Sequence, residues 1–420
     1  MTDSTSTPAG RLDSTESQPA RLGLMQGAPP DRAQRVRLMD NALFTFPQLR
    51  WAFSNVRQLV PTANVWRGDG PVAVLAREER NDIDALAFEP LGGTRPMRWD
   101  ASLAANYTDG IVVLHRGRIV YERYFGALQA HVPHLAWSVT KSLVGVIAAS
   151  LVAEGVLDES ARVDRLLPEL KGGGWTDASV RDLSNMTTAL QYFENFDDPR
   201  SEVWWHLRSG GLAAALAGAT GPASFDEFMR GVRPSGSHGQ KFAYKTVNTD
   251  VLAWIMRRLT RRTLAQLVQE RVWAKLGAEQ DGFFVVDSEG TEYAGGGFNA
   301  ALRDIARFGE MVRCGGFYNG SQVVPGAAIE DIHRGADPAH LAAAGIDLLR
   351  GWSYRHMWWV SHAAHRALYA RGMHGQGVYV DPAAEMVIAR FASHPERAGS
   401  AVDPTTLPAY DALARHLMRG

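Results

Sequence analysis

Ser138 and Lys141 stand three residues apart in Trp137-Ser-Val-Thr-Lys-Ser-Leu143. On a helix that spacing puts both side chains on one face, so a hydroxyl and an amine can touch. A serine hydroxyl is a weak nucleophile near neutral pH and needs an adjacent base. A lysine becomes one when burial depresses its pKa. Trp137, Val139, Leu143 and Val144 offer apolar surroundings, and the positive end of a helix further disfavours an ammonium ion. The same tetrad also reads as an ordinary helix start, with Ser138 capping the backbone and Lys141 in water.

Other chemistry-bearing patterns are weaker. His131-x-x-His134 and His362-Ala-Ala-His365 pair histidines, but neither has a third ligand placed as in zinc proteases, so no metal is expected. Gly295-Gly-Gly297 lacks the spacing of phosphate-binding loops and reads as close backbone approach in a cleft wall. Cys314, the single cysteine, reads as a small residue at a helix end. No Gly-x-Ser-x-Gly elbow occurs, which argues against an α/β-hydrolase.

The elements that must hold Ser138 and Lys141 are partly legible. Gly110 to Gly126 reads as a β-hairpin around Arg116-Gly117-Arg118. Ser138 to Glu154 has apolar residues at helical spacing and a glycine stop at Gly155, which predicts a buried helix opening at Ser138. Short helical pieces separated by Gly, Pro and Asp turns run from Leu157 to about Gly239. A long amphipathic helix is expected over Thr246 to Leu276, and another helix over Arg303 to Val312. β-like runs follow near Tyr354 to Ser361, Val378 to Val380 and Met386 to Phe391, and Tyr410 to Met418 closes the chain as a helix. Strands at both ends with helices between them predict an α+β fold with an antiparallel sheet flanked by helices and an inserted helical domain. The expected division is a disordered lead over 1–24, a discontinuous sheet domain over 40–160 and 250–420, and a helical domain over 161–249. The site belongs in the cleft between the lobes.

Composition narrows the partners. The 44 basic and 45 acidic side chains nearly cancel, so no global field points to nucleic acid or an anionic membrane. The first 24 residues show no apolar signal-peptide run, and the apolar stretch Leu143 to Val156 is broken by Gly145, Ser150 and Glu154. With one cysteine, a soluble cytoplasmic protein acting on a small molecule is expected, as a monomer or homodimer.

The tetrad, the hairpin before it and Ser179-Val-Arg-Asp-Leu-Ser-Asn-Met-Thr-Thr-Ala-Leu190 resemble class C members of the β-lactamase/penicillin-binding serine hydrolase superfamily. Trp137 to Leu143, Asp198-Pro-Arg-Ser-Glu-Val203, Asn248-Thr-Asp-Val-Leu-Ala-Trp-Ile255 and Met373-His-Gly-Gln376 resemble in particular the 6-aminohexanoate-dimer, or nylon-oligomer, hydrolases. The likeness runs from about Arg50 to the C-terminus. It implies a β-lactamase-like fold, no cofactor, and hydrolysis of a small carboxylic ester or linear amide through an acyl-enzyme on Ser138. D-amino-acid peptidase, β-lactamase-like and non-catalytic ligand-binding roles are the alternatives.

Within the resemblance Tyr244-Lys-Thr246 falls where the family has Tyr-x-Asn or Tyr-x-Ser, which makes Tyr244 the third catalytic group and leaves Thr246 a hydroxyl in place of the commoner amide. Ala370-Arg-Gly372 falls on the Lys-Thr-Gly or His-x-Gly strand, which makes the Met373 N–H the second oxyanion donor beside that of Ser138. Ala370 lacks the usual cation there, which argues against β-lactams. Arg371 is a candidate anion anchor, and His374 and Gln376 either line the pocket or support the strand. Phe196 stands where the nylon-oligomer hydrolases carry a tyrosine in the lid region, so a phenol for the amide nitrogen is missing and esters are favoured. Trp204, Trp205, Trp352, Trp358 and Trp359 could wall a pocket or fill the core.

Overall fold

The computed structural model describes residues 11–419. The strands Thr108–His115 (β1), Arg118–Tyr124 (β2), Trp352–Arg355 (β3), Trp358–Ser361 (β4), Leu368–Arg371 (β5), Gly377–Asp381 (β6) and Met386–Ala392 (β7) form one seven-stranded sheet in the order β3-β4-β5-β6-β7-β1-β2. Every neighbouring pair is antiparallel, and Val387 opposite Leu114 joins the two distant stretches of chain. The expected hairpin is β1–β2. Arg116 and Gly117 turn it with φ of 52° and 74°, the left-handed pair whose twist matches the strands. The single β-like run near Tyr354 is a second hairpin, turned by His356 and Met357 at φ 44° and 64°.

Alternation along β6 sets its two faces. Val378 faces Leu302–Arg313 (α3), where a Cβ on Gly309 would stand 2.6 Å from Val387 and 2.9 Å from Val378. Tyr379 points the other way and meets Tyr410 of Asp403–Leu417 (α4) at 5.3 Å between ring centroids. Ile305, Phe308 and Met311 form the buried stripe of α3, each contributing roughly 1.5–3 kcal/mol.

Val139–Ala153 (α1) is buried from Val139 to Leu151 and stops at Gly155, whose φ is 72°. It passes so close to the β3–β4 turn that a Cβ on Gly145 would lie 1.9 Å from the His356 carbonyl oxygen. A smaller four-stranded sheet joins Thr62–Val65, Gly282–Val285, Phe298–Ala300 and His134–Leu135. It holds the chain just before α1. Residues 161–249 carry the short helices Val163–Leu166, Val180–Ser184, Glu202–Ser209 and Phe225–Gly231, and also a strand pair of Leu190–Gln191 with Arg233–Pro234.

Three expectations are corrected. The long helix over Thr246 to Leu276 is two helices, Val247–Thr260 (α2) and Leu264–Arg271, because Arg261 takes φ 55° and Thr263 with Gln266 opens the second through a capping box. The C-terminal helix starts at Asp403, earlier than Tyr410, with Pro404 in its first turn and Pro408 within it. Residues 11–24 of the supposed disordered lead pack on the body. There Arg50 donates to the Ser17 hydroxyl at 2.7 Å, Tyr107 donates to the Leu12 carbonyl at 2.8 Å, and Ser17 and Leu24 are buried. Residues 1–10 of that lead lie outside the described residues. Cys314 caps α3 and is exposed. Among the described residues no helix is long and apolar enough to cross a membrane.

Candidate active site

Ser138 occupies the turn that opens α1, directly after Trp137, a non-glycine residue at φ 46°. The conformation is held by packing, since the Trp137 ring lies 5.4 Å from Phe44 and 5.7 Å from Phe53. Ser138 is already helical at φ −66° and ψ −5°, and its hydroxyl caps nothing. Instead Lys141 Nζ donates to Ser138 Oγ at 2.8 Å and to the Gly295 carbonyl at 2.6 Å. Lys141 is 1 % exposed. Burial pulls its pKa down to about 8, against the opposing pull of the Glu194 and Asp250 carboxylates. The amine can therefore shed its proton near neutral pH.

Tyr244 completes the cluster. Lys141 Nζ lies 5.0 Å from its ring centroid, and the ring stacks on Trp359 at 6.2 Å. Burial, and secondly Glu194, push the phenol pKa up, while its interaction with the Ser138 side chain and the charge of Arg371 pull it down. Tyr244 thus keeps its proton at neutral pH and is suited to donate one.

Gly295 is the anvil behind the lysine. Its N–H donates to Asp250 Oδ1 at 3.0 Å while its carbonyl accepts from Lys141, and a Cβ there would stand 2.4 Å from Thr246 Cγ2. Asp250 is buried, with His206 Nε2 3.3 Å from its other oxygen and the Tyr192 hydroxyl 3.0 Å from His206 Nδ1. Thr246 stands behind this wall, and its backbone N–H donates to Glu194 Oε1 at 2.7 Å.

A cavity of about 300 Å³ opens on the group, lined by Ser138, Glu194, Phe196, Tyr244 and Trp359 on one part of its wall. Arg371, Gly372, Met373 and the segment Arg397–Gly399 line the rest. The backbone N–H groups of Ser138 and Met373 donate to no acceptor among the described residues. Met373 opens a short turn after β5, fixed by the Gly372 N–H on the Gln376 carbonyl at 2.9 Å. Phe196 packs against Phe44 and Trp204 at 6.2 and 5.7 Å.

Not every candidate reaches the cavity. Thr246, His374 and Gln376 do not line it. Gln376 donates to the Ala392 carbonyl at 2.6 Å and accepts from the Ala392 N–H at 3.0 Å, so its amide extends the strand pairing. His374, at φ 60°, bonds the His394 carbonyl at 2.6 Å through Nδ1, and burial holds its pKa down to about 3. Arg371 faces the cavity, but Asp403 already engages its guanidinium, so it is not the free anion anchor expected. Of the tryptophans only Trp359 lines the cavity. Trp358 is fully buried and donates to the Ser142 carbonyl at 3.1 Å.

The histidine pairs do not converge. His134 is buried against Asp109 at 3.4 Å while His131 is exposed, and His362 bonds Ser353 while His365 pairs with Asp381. Glu159, Asp331 and His356 do cluster, with ligand atoms within 4.8 Å of one another. Arg355 Nη2 lies 2.8 Å from Glu159 and 2.5 Å from Asp331, so a guanidinium already occupies the charge position of a cation.

Sequence reasoning did not single out Glu194, Asp250 or Arg397. Asp250 lay inside the quoted Asn248 to Ile255 motif. Glu194 and Arg397 sit on loops, where no periodicity marks them.

Comparison with known proteins places the family and the fold. The chain is 33 % identical over 353 residues to the 6-aminohexanoate-dimer hydrolase of Paenarthrobacter ureafaciens, covering 83 % of this chain and 86 % of the relative. A solved Bacillus anthracis protein, provisionally named a 6-aminohexanoate-dimer hydrolase, superposes with a TM-score of 0.84 at 28 % identity, covering 93 % of this chain and 99 % of that one. A family VIII carboxylesterase shares the fold at a TM-score of 0.52 and 16 % identity, over 74 % of this chain and 95 % of that one. The family model described as Beta-lactamase matches residues 102–411. The chain therefore belongs to the Beta-lactamase family of serine hydrolases, with the β-lactamase-like fold.

Proposed function

We propose that this protein is a serine acyl hydrolase whose reaction runs through Ser138, Lys141 and Tyr244, acting on a small carboxylic ester or linear amide. The observation that carries the reading is the 2.8 Å contact between a buried Lys141 amine and the Ser138 hydroxyl, at the wall of a cavity. In the first step neutral Lys141 takes the hydroxyl proton as Oγ bonds to the substrate carbonyl carbon, and the carbonyl electron pair moves onto oxygen. The Ser138 and Met373 N–H groups are the donors offered to that oxyanion. Each is worth about 3–4 kcal/mol when aligned. The tetrahedral centre then collapses, the bond to the alcohol or amine breaks, and Tyr244 supplies the leaving group's proton, replenished from Lys141. Water attacks the acyl-enzyme by the same route in reverse.

Phe196 offers no hydroxyl to a departing amide nitrogen. Esters leave with less help than amides, so esterase activity is the stronger expectation, with the aminohexanoate dimer as the amide to try first because of the curated relative. Ala370, fully buried in β5, leaves the strand position that carries a cation in β-lactam-processing relatives without one, so any carboxylate bound here must be met from another part of the wall. The test is a side-by-side comparison of p-nitrophenyl esters, aminohexanoate dimer and nitrocefin. Ester turnover well above nitrocefin turnover is expected, and rapid nitrocefin hydrolysis would overturn the substrate assignment. A cytoplasmic location is proposed from the single cysteine, Cys314, which has no partner within the chain for a disulfide.

A further inference from the structure

Two arginines face the cavity, in different circumstances. Arg371 is ion-paired to Asp403 and lies over Trp359. Arg397 has no ion-pair partner among the described residues, and its Nε is buried without a hydrogen-bond acceptor. Its guanidinium carbon lies 5.2 Å from the centre of the Phe196 ring. The adjacent Glu396 is turned outward to Arg11 at 3.0 Å. Burial lowers the Arg397 pKa and the charge of Asp197, an exposed residue, raises it.

Arg397 is also held in place. The His374 N–H donates to the Arg397 carbonyl at 3.1 Å, and the His394 N–H donates to the His374 carbonyl at 3.1 Å. The segment is thereby fastened to the turn that presents Met373. An unpaired buried donor is costly, and a planar guanidinium matches a carboxylate through two parallel hydrogen bonds. Glu194, also on the cavity wall, acts on Lys141 and Tyr244. Its negative charge disfavours an anion at that end.

We propose that Arg397 is a carboxylate-recognition site in the cavity, so that the preferred ester or amide carries a free carboxylate reaching Arg397 when its scissile carbonyl is at Ser138. This inference rests on the acyl-hydrolase reading and names its substrate class.

The test pairs binding with turnover. Calorimetry would measure adipate and its neutral counterpart adipamide against the full-length protein and against Arg397→Ala and Arg397→Lys. The wild type should bind adipate more tightly. Arg397→Ala should weaken adipate at least about tenfold more than adipamide, and Arg397→Lys should recover part of the difference. The ratio of kcat/KM for mono-4-nitrophenyl adipate over 4-nitrophenyl butyrate should fall in parallel. Equal weakening of both ligands, or no preference for adipate in the wild type, would overturn the site. Failure of the wild type to turn over either ester would instead defeat the hydrolase reading, while adipate binding would still report on Arg397.

Discussion

The proposed reaction turns on the protonation of single residues. Lys141 must be neutral to accept the Ser138 proton, and burial brings its pKa to about 8. The kcat/KM of an ester should therefore rise with pH along a limb centred near 8. Lys141→Ala should abolish that limb and cost about 10²–10⁴ in kcat, as a pH-rate profile of both proteins would show. His374 gives a stability prediction. Its folded pKa is about 3 against an ordinary 6.5, so below 6.5 the unfolded chain binds a proton that the folded protein refuses. Stability present above pH 6.5 is lost as pH falls toward 3, at up to about 1.4 kcal/mol per pH unit. Denaturant melts between about pH 7 and 4.5 should show a shallower loss in His374→Gln than in the wild type. The proposed pair was legible because the spacing allows Ser138 and Lys141 to touch and the resemblance chose that reading over an ordinary helix start. Glu194 and Arg397 were not, since a charged loop residue reads the same whether it faces a cavity or water.

Among the elements, close approach decides more than propensity does. Gly145 sits inside α1, where alanine would ordinarily be the better helix former by about 1 kcal/mol. The 1.9 Å between its notional Cβ and the His356 carbonyl reverses the sign. Gly145→Ala must push α1 off the β3–β4 hairpin, and a loss of about 1–3 kcal/mol in chemical denaturation is expected. The strongly patterned elements, the β1–β2 hairpin and α1, were read from the sequence nearly to their ends. The break at Arg261 was not, because an arginine in a left-handed conformation has no marker in an amphipathic run. The start of α4 was hidden by Pro404 and Pro408, which discourage a helix reading although Pro404 sits in the first turn, where it is tolerated.

For the whole molecule, the antiparallel sheet with helices on both faces followed from strands at the two ends of the chain. The packing of the N-terminal segment did not, since a Ser-, Thr- and Pro-rich lead looks disordered by composition. Its most buried anchor is a cation. The Arg50 side chain is 1 % exposed, pairs with Asp109 at 3.2 Å, and donates to Ser393 Oγ at 3.0 Å and Ser17 Oγ at 2.7 Å. Arg50→Ala would leave the buried Asp109 carboxylate with the Ser393 hydroxyl and His134 but without its guanidinium, and a loss of about 3 kcal/mol is expected. Limited proteolysis should then cut within residues 11–24 first.

All of this chemistry converges on one atom, Ser138 Oγ. A fluorophosphonate probe followed by peptide mass spectrometry reads it directly. A covalent adduct on Ser138 is expected, formed more slowly in Lys141→Ala and absent in Ser138→Ala. An unlabelled Ser138, under conditions that label a related esterase, would contradict it.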